Sequence, residues 1–109
     1  PVHNMVFDAL NRAPDVAAAR GGAMLRAIRS SLLAEAGARV IIYAGHDTNI
    51  ANLGGLLDLH WDIPEQGHNA IPPGGALLFT LWENAPGRRE IRASFLAPAG
   101  NTACAVSRR

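Results

Sequence analysis

The chain reads as α/β, a partial three-layer α/β/α sandwich, and three stretches predict it. Val40-Ile41-Ile42-Tyr43-Ala44 is a β-branched apolar run without polar alternation, the pattern of a strand buried on both faces. Around it lie stretches with apolar residues at helical spacing. Towards the C-terminus, Ala76–Trp82 and Arg89–Leu96 read as two strands around the turn residues Asn84-Ala85-Pro86-Gly87, an antiparallel hairpin.

The elements follow in order. Val2, Met5, Val6, Ala9 and Leu10 give a short amphipathic helix over residues 2–10. Pro14 suits the first turn of the next helix, and Asp15 lies near the positive end of its dipole. From Asp15 to about Ala36 the chain is alanine-rich, with Val16, Ala19, Ala23, Leu25, Ile28, Leu32 and Leu33 as its stripe. Gly21-Gly22 weakens this helix by about 1 kcal/mol per glycine, which calls for a kink or a close contact there. Gly37 suits a C-cap before the strand from Arg39 to Ala44.

Gly45 then permits a sharp turn. Thr48 or Asn49 can cap a helix built on Ile50, Leu53, Leu56 and Leu57, with Gly54-Gly55 allowing close helix packing. Trp61 to Gly75, with three prolines, reads as a long loop of the functional or mobile kind. Trp61 and Trp82 suit core or loop anchors, and His60 and His68 surface positions. Residues 98–109 show no periodicity and read as an irregular tail.

Size and composition narrow the function. A length of 109 residues suits one domain at most, and 49% hydrophobic with 17% charged residues makes it globular. A net charge of +1 without a basic stripe excludes a general nucleic-acid binder. All ten basic residues are arginine, whose planar fork suits two oxygens of a phosphate. Cys104 is the sole cysteine, so no internal disulfide can form. No apolar run reaches the ~20 residues of a membrane span. The opening Pro1-Val2-His3-Asn4 has neither a start methionine nor a signal-peptide pattern, as expected of a chain cut from a longer one. One buried strand and one hairpin leave open sheet edges, which predicts self-association through them.

Chemistry concentrates at Gly45-His46-Asp47-Thr48-Asn49. A strand that ends in two titratable side chains, at the start of a helix, places them at the carboxyl edge of a sheet. Ligands bind there in open α/β folds, and free helix N–H groups there favour anions. The bland alternative is an ordinary helix start with a dipole-favoured aspartate. The four histidines have no i, i+4 ligand spacing, so no metal is expected.

The run Tyr43-Ala44-Gly45-His46-Asp47-Thr48-Asn49-Ile50-Ala51-Asn52-Leu53-Gly54-Gly55, then Leu59-His60-Trp61, then Pro72-Pro73-Gly74-Gly75, resembles the C-terminal portion of bacterial histidine acid phosphatases. The phytase branch is the nearest in pattern, with glucose-1-phosphatases beside it. His3-Asn4, Arg12-Ala13-Pro14-Asp15-Val16 and Arg20 resemble the segment that precedes this motif in the family. The resemblance makes residues 1–97 the C-terminal part of a phosphatase α/β domain, incomplete relative to the family fold.

It implies phosphomonoester hydrolysis through a phosphohistidine, on phytate-like substrates, by an enzyme exported to the periplasm. His46 would contact the phosphoryl oxygens and Asp47 would protonate the leaving alcohol. Arg20 stands where the phytase branch has a substrate-contacting arginine, and Thr48 and His3 would line the same pocket. The family's nucleophile lies in an Arg-His-Gly motif, and none of the arginines here is followed by His-Gly. The chain alone is therefore expected to be inactive. A non-catalytic phosphate-binding module and a structural remnant are the other two readings.

Overall fold

The computed structural model describes residues 2–34, 39–97, 102–105 and 107–108, with side chains for 5–34 and 39–97. It is mixed α and antiparallel β, and it divides into two compact units, one ending at Asp58 and one starting at Leu59. Length alone suggested one domain at most.

The first unit is helical: α1 (Val2–Asn11), α2 (Pro14–Leu33) and α3 (Asp47–Leu57). The helix over residues 2–10 forms, but its apolar stripe is not the packed face. Met5, Val6 and Leu10 are exposed, and Asn11 is buried instead. A polar buried residue needs partners. Asn11 Nδ2 donates to the Phe7 carbonyl at 3.0 Å, and the Asn11 carbonyl accepts from Asn52 Nδ2 at 2.8 Å, which ties α1 to α3.

Pro14 sits at the start of α2 with Asp15 in its first turn, as the dipole argument expects. The helix runs unbroken through Gly21-Gly22, so of the two explanations for that pair the close contact is the one observed. A Cβ on Gly21 would lie 3.1 Å from the Asn52 Cβ. α2 stops at Leu33, before the expected Ala36, with Ala34 already extended; Gly37 lies outside the described residues.

α2 and α3 cross on small residues. Ala17 and Ala51 are fully buried, and a Cβ on Gly55 would meet the Arg12 carbonyl oxygen at 2.4 Å. Gly54-Gly55 thus permits the close approach the sequence suggested. Arg12 is partly buried at this junction. Burial pulls its guanidinium below the ordinary arginine value, and the charges of Asp8 and Asp58 pull it back up.

The expected strand from Arg39 to Ala44 is not formed. Residues 40–46 are extended but belong to no ladder, and Val40 and Ile42 are 77% and 86% exposed. The cause is physical: a strand exists only by pairing, and every described strand of the chain begins at Leu59 or later. Sheet propensity without a neighbour leaves an extended segment.

The second unit is β-structure: β1 (Leu59–His60), β2 (Asp62–Ile63), β3 (Gly67–His68), β4 (Ala76–Ala85), β5 (Arg88–Ala97), β6 (Thr102–Ala105) and β7 (Ser107–Arg108). The predicted hairpin is β4–β5, antiparallel from Ala76↔Leu96 to Ala85↔Arg88, with an irregularity between Glu83 and Ala85. Pro86 and Gly87 form its turn, and Gly87 at φ 77° supplies the positive φ that the second central residue of such a turn requires.

The described residues of the expected irregular tail are instead strands. Thr102–Ala105 adds to the free edge of β5, and Ser107–Arg108 pairs with β1. Backbone pairing with an open edge needs no side-chain periodicity, which is why the sequence pattern missed it.

The stretch from Trp61 to Gly75 is likewise more ordered than a loop. β2 and β3 pair across it, and Trp61 is its anchor. The indole is 1% exposed and stacks on fully buried Phe95 at 4.9 Å between ring centres. Its Nε1 donates to the Ala70 carbonyl at 2.8 Å, while the Trp61 carbonyl accepts from the Asn69 N–H at 2.7 Å. His60 and His68 stack at 5.3 Å, and His68 Nδ1 lies 2.9 Å from Asp62 Oδ1.

Trp82 departs from the anchor role. It is 47% exposed on the hairpin, with Arg92 lying 4.2 Å above its ring. Arg92 also bonds Glu90. That bond, with a second from Asn84, holds the Glu90 carboxyl below the usual carboxylate range.

Candidate active site

The corner between the extended segment and α3 is built from five consecutive residues. His46 occupies the N-cap position with extended backbone (φ −115°, ψ 168°), and its carbonyl accepts the Asn49 N–H at 3.0 Å. Asn49 returns the contact, its Oδ1 accepting the His46 N–H at 2.8 Å. This reciprocal pair clamps the turn. Of the two residues expected to cap the helix, Asn49 does the work, although it reaches back from the third helical position.

Gly45 is required by the same clamp. A Cβ there would fall 2.8 Å from Asn49 Oδ1, so any side chain would push the amide off the His46 N–H. Asn49→Ala is expected to destabilise the first helical unit by about 0.5–2 kcal/mol, the range for losing a cap. Chemical denaturation monitored by far-UV circular dichroism measures it.

His46 and Asp47 are both exposed at the N-terminal end of α3. Asp47 Oδ1 accepts the Thr48 N–H at 2.8 Å, which orients the carboxyl group over the first turn. The corner therefore presents an imidazole, a carboxyl group and the positive end of a helix dipole to solvent. Such a set can approach an anionic ester and hand it a proton.

The corner is held from behind at two places. Tyr43 Oη lies 2.6 Å from Ser31 Oγ and donates to the Ala27 carbonyl at 3.3 Å, which pins the extended segment to α2. Asn52, buried one turn into α3, pins that helix to the end of α1. Neither role was read from the sequence. An asparagine between Ala51 and Leu53 on an otherwise apolar helix was the available signal, because such a residue must find a partner inside.

The other expected site residues are less closely gathered. Thr48 sits in the first turn of α3, beside the corner. Arg20 is exposed on α2, one residue before the Gly21–Asn52 contact, and no described ion pair joins it to Asp47. His3 falls in α1, and its side chain lies outside the described residues. Among the described residues, no three His, Cys, Asp or Glu side chains converge as a metal site. None of the described helices is long and apolar enough to cross a membrane.

Comparison with known proteins identifies a family. The model of the histidine phosphatase superfamily, branch 2, matches residues 5–95. The phytase AppA of Escherichia coli (strain K12) is 41% identical over 91 residues, covering 74% of this chain and 21% of its own. The chain thus spans about a fifth of the length of that relative. No solved structure matches it.

Proposed function

This chain belongs to branch 2 of the histidine phosphatase superfamily, and we propose that it carries the proton-donating half of a phosphomonoesterase active site. The observation that carries the reading is the exposed His46–Asp47 pair clamped at the start of α3. His46 holds the phosphoryl oxygens, Asp47 protonates the leaving oxygen, and Arg20, Thr48 and His3 contact the substrate. The nucleophilic imidazole comes from an Arg-His-Gly segment, a motif absent from these 109 residues.

In the first step the imidazole nitrogen bonds to phosphorus as the ester P–O bond breaks. The bonding pair leaves on the alcohol oxygen, which takes the Asp47 proton. Water then attacks the phosphohistidine and gives its proton to the Asp47 carboxylate, which restores both groups. A carboxyl group that must hold its proton at the start suits acidic conditions.

The substrate class is phytate-like phosphomonoesters, without cofactor or metal, handled in the periplasm. The 41% identical relative being a phytase supports that choice.

The test is turnover of glycerol phosphate, an alkyl phosphate whose leaving oxygen needs a proton, by two purified proteins. The 109-residue chain is expected to give none, and a chain extended to include an Arg-His-Gly segment is expected to be active. Turnover by the 109 residues alone, abolished by Asp47→Asn, would overturn the half-site.

A further inference from the structure

Asn52 is buried as fully as the aromatic anchors Trp61 and Phe95, although it is an amide on a helix of small and apolar neighbours. Its Nδ2 donates to the Asn11 carbonyl at 2.8 Å. That carbonyl belongs to the last residue of α1, where helical carbonyls have no partner within their own helix. Asn52 also lies against α2, since a Cβ on Gly21 would sit 3.1 Å from the Asn52 Cβ. Each of the three helices joined at this point carries a residue of the proposed site. His3 is on α1, Arg20 precedes Gly21 on α2, and Asp47 begins α3.

The surrounding contacts are made largely by Ala17, Gly21, Ala51 and Gly55. Small residues let helix backbones approach, but their shallow ridges and non-directional contacts fix rotation about the helix axis only weakly. A hydrogen bond has a preferred direction and so fixes that rotation.

We propose that Asn52 is a positioning residue: its bond to Asn11 sets the rotation of α3, and with it the place of the Asp47 carboxyl group relative to Arg20 and His3. The proposal rests on the half-site reading above. Asn52 lies five residues beyond Asp47 on the same helix and acts through it. At the radius of about 5–6 Å reached by helical side chains, a rotation of about 10° moves a carboxyl group by about 1 Å. A displacement of that size is enough to lower a proton-transfer rate about 100-fold.

The experiment uses the extended chain with its Arg-His-Gly segment and compares kcat/KM for glycerol phosphate and p-nitrophenyl phosphate. Asn52→Leu keeps the branch at Cγ and Asn52→Ala leaves space; both delete the donor. Each is expected to lower kcat/KM about 100-fold for glycerol phosphate and no more than about 3-fold for p-nitrophenyl phosphate, whose leaving group needs little protonation. Ala17→Gly loosens the same unit without touching the bond, and is expected to change both substrates by one common factor. Far-UV circular dichroism at the assay temperature measures the folded fraction of each protein.

Equal losses on the two substrates, no loss on either, or the same split from Ala17→Gly would overturn the proposal. Failure of both Asn52 variants to fold would do so too, because the bond would then hold the fold rather than aim the acid. Asp47→Asn in the same assay reports on the half-site separately. Equal losses there sink the half-site whatever Asn52 does. A split at Asp47 with equal losses at Asn52 keeps the half-site and removes the positioning role.

Discussion

Changing Asp47 to asparagine in the completed enzyme is expected to cut turnover of alkyl phosphates by about 10²–10⁴-fold, the usual contribution of a positioned general acid. Asparagine keeps the shape and can still accept the Thr48 N–H, so the turn at the start of α3 should survive. Only the transferable proton is lost. The loss therefore depends on the leaving group. An alkoxide leaves poorly without a proton, whereas p-nitrophenolate is stable as an anion and needs little help. The ratio of variant to parent rate should rise steeply from alkyl phosphate to p-nitrophenyl phosphate. Equal losses on both substrates would assign Asp47 to binding rather than proton transfer. The alkaline limb of the parent profile follows the same logic: a donor role requires activity to be lost where the donor has given up its proton.

Trp61→Ala is expected to destabilise the second unit by about 3–5 kcal/mol, the range for truncating a buried tryptophan. Two contacts go at once and a cavity is left. The stack on Phe95 is removed, the indole bond to the Ala70 carbonyl is lost, and a space of nearly indole size opens beneath the sheet. The stack alone contributes about 0.5–1.5 kcal/mol beyond the area it buries. The loss should appear as faster amide exchange across β4 and β5, with α2 and α3 unaffected because they belong to the other unit. Trp82, exposed on the hairpin, remains as a fluorescent reporter of the variant.

Local signals carried the sequence reading a long way. Pro14, the Gly54-Gly55 pair and the Pro86-Gly87 turn each act through backbone sterics, and each appears where those sterics place it. The corner at Gly45–Asn49 was legible for the same reason. A glycine, a capping asparagine and a helix start interact within five residues of chain.

What failed was pairing and facing, which depend on residues far away. Val40–Ala44 has the composition of a buried strand, but composition supplies no partner, so the segment stays unpaired. The stripe of Met5, Val6 and Leu10 marked a helix correctly and its packed face wrongly, because Asn11 and Asn52 dock the opposite side. The pairing of Thr102–Ala105 with β5 had no side-chain signature at all. The roles of Tyr43 and Asn52 in holding the corner required knowing which helix stood next to them.

α3 is a lever with its fulcrum at Gly55. That residue lies flush against the backbone of Arg12, and Asp47 stands eight residues away, about 12 Å along the axis. A tilt of about 5° at the fulcrum would swing the carboxyl group by about 1 Å, enough to lower a proton-transfer rate about 100-fold. A single methyl group added at Gly55 would force such a tilt. In the proposed half-site the position of the acid at one end of this helix depends on clearance at the other, and a screen for inactive variants of the completed enzyme should recover the distal glycine alongside the acid itself.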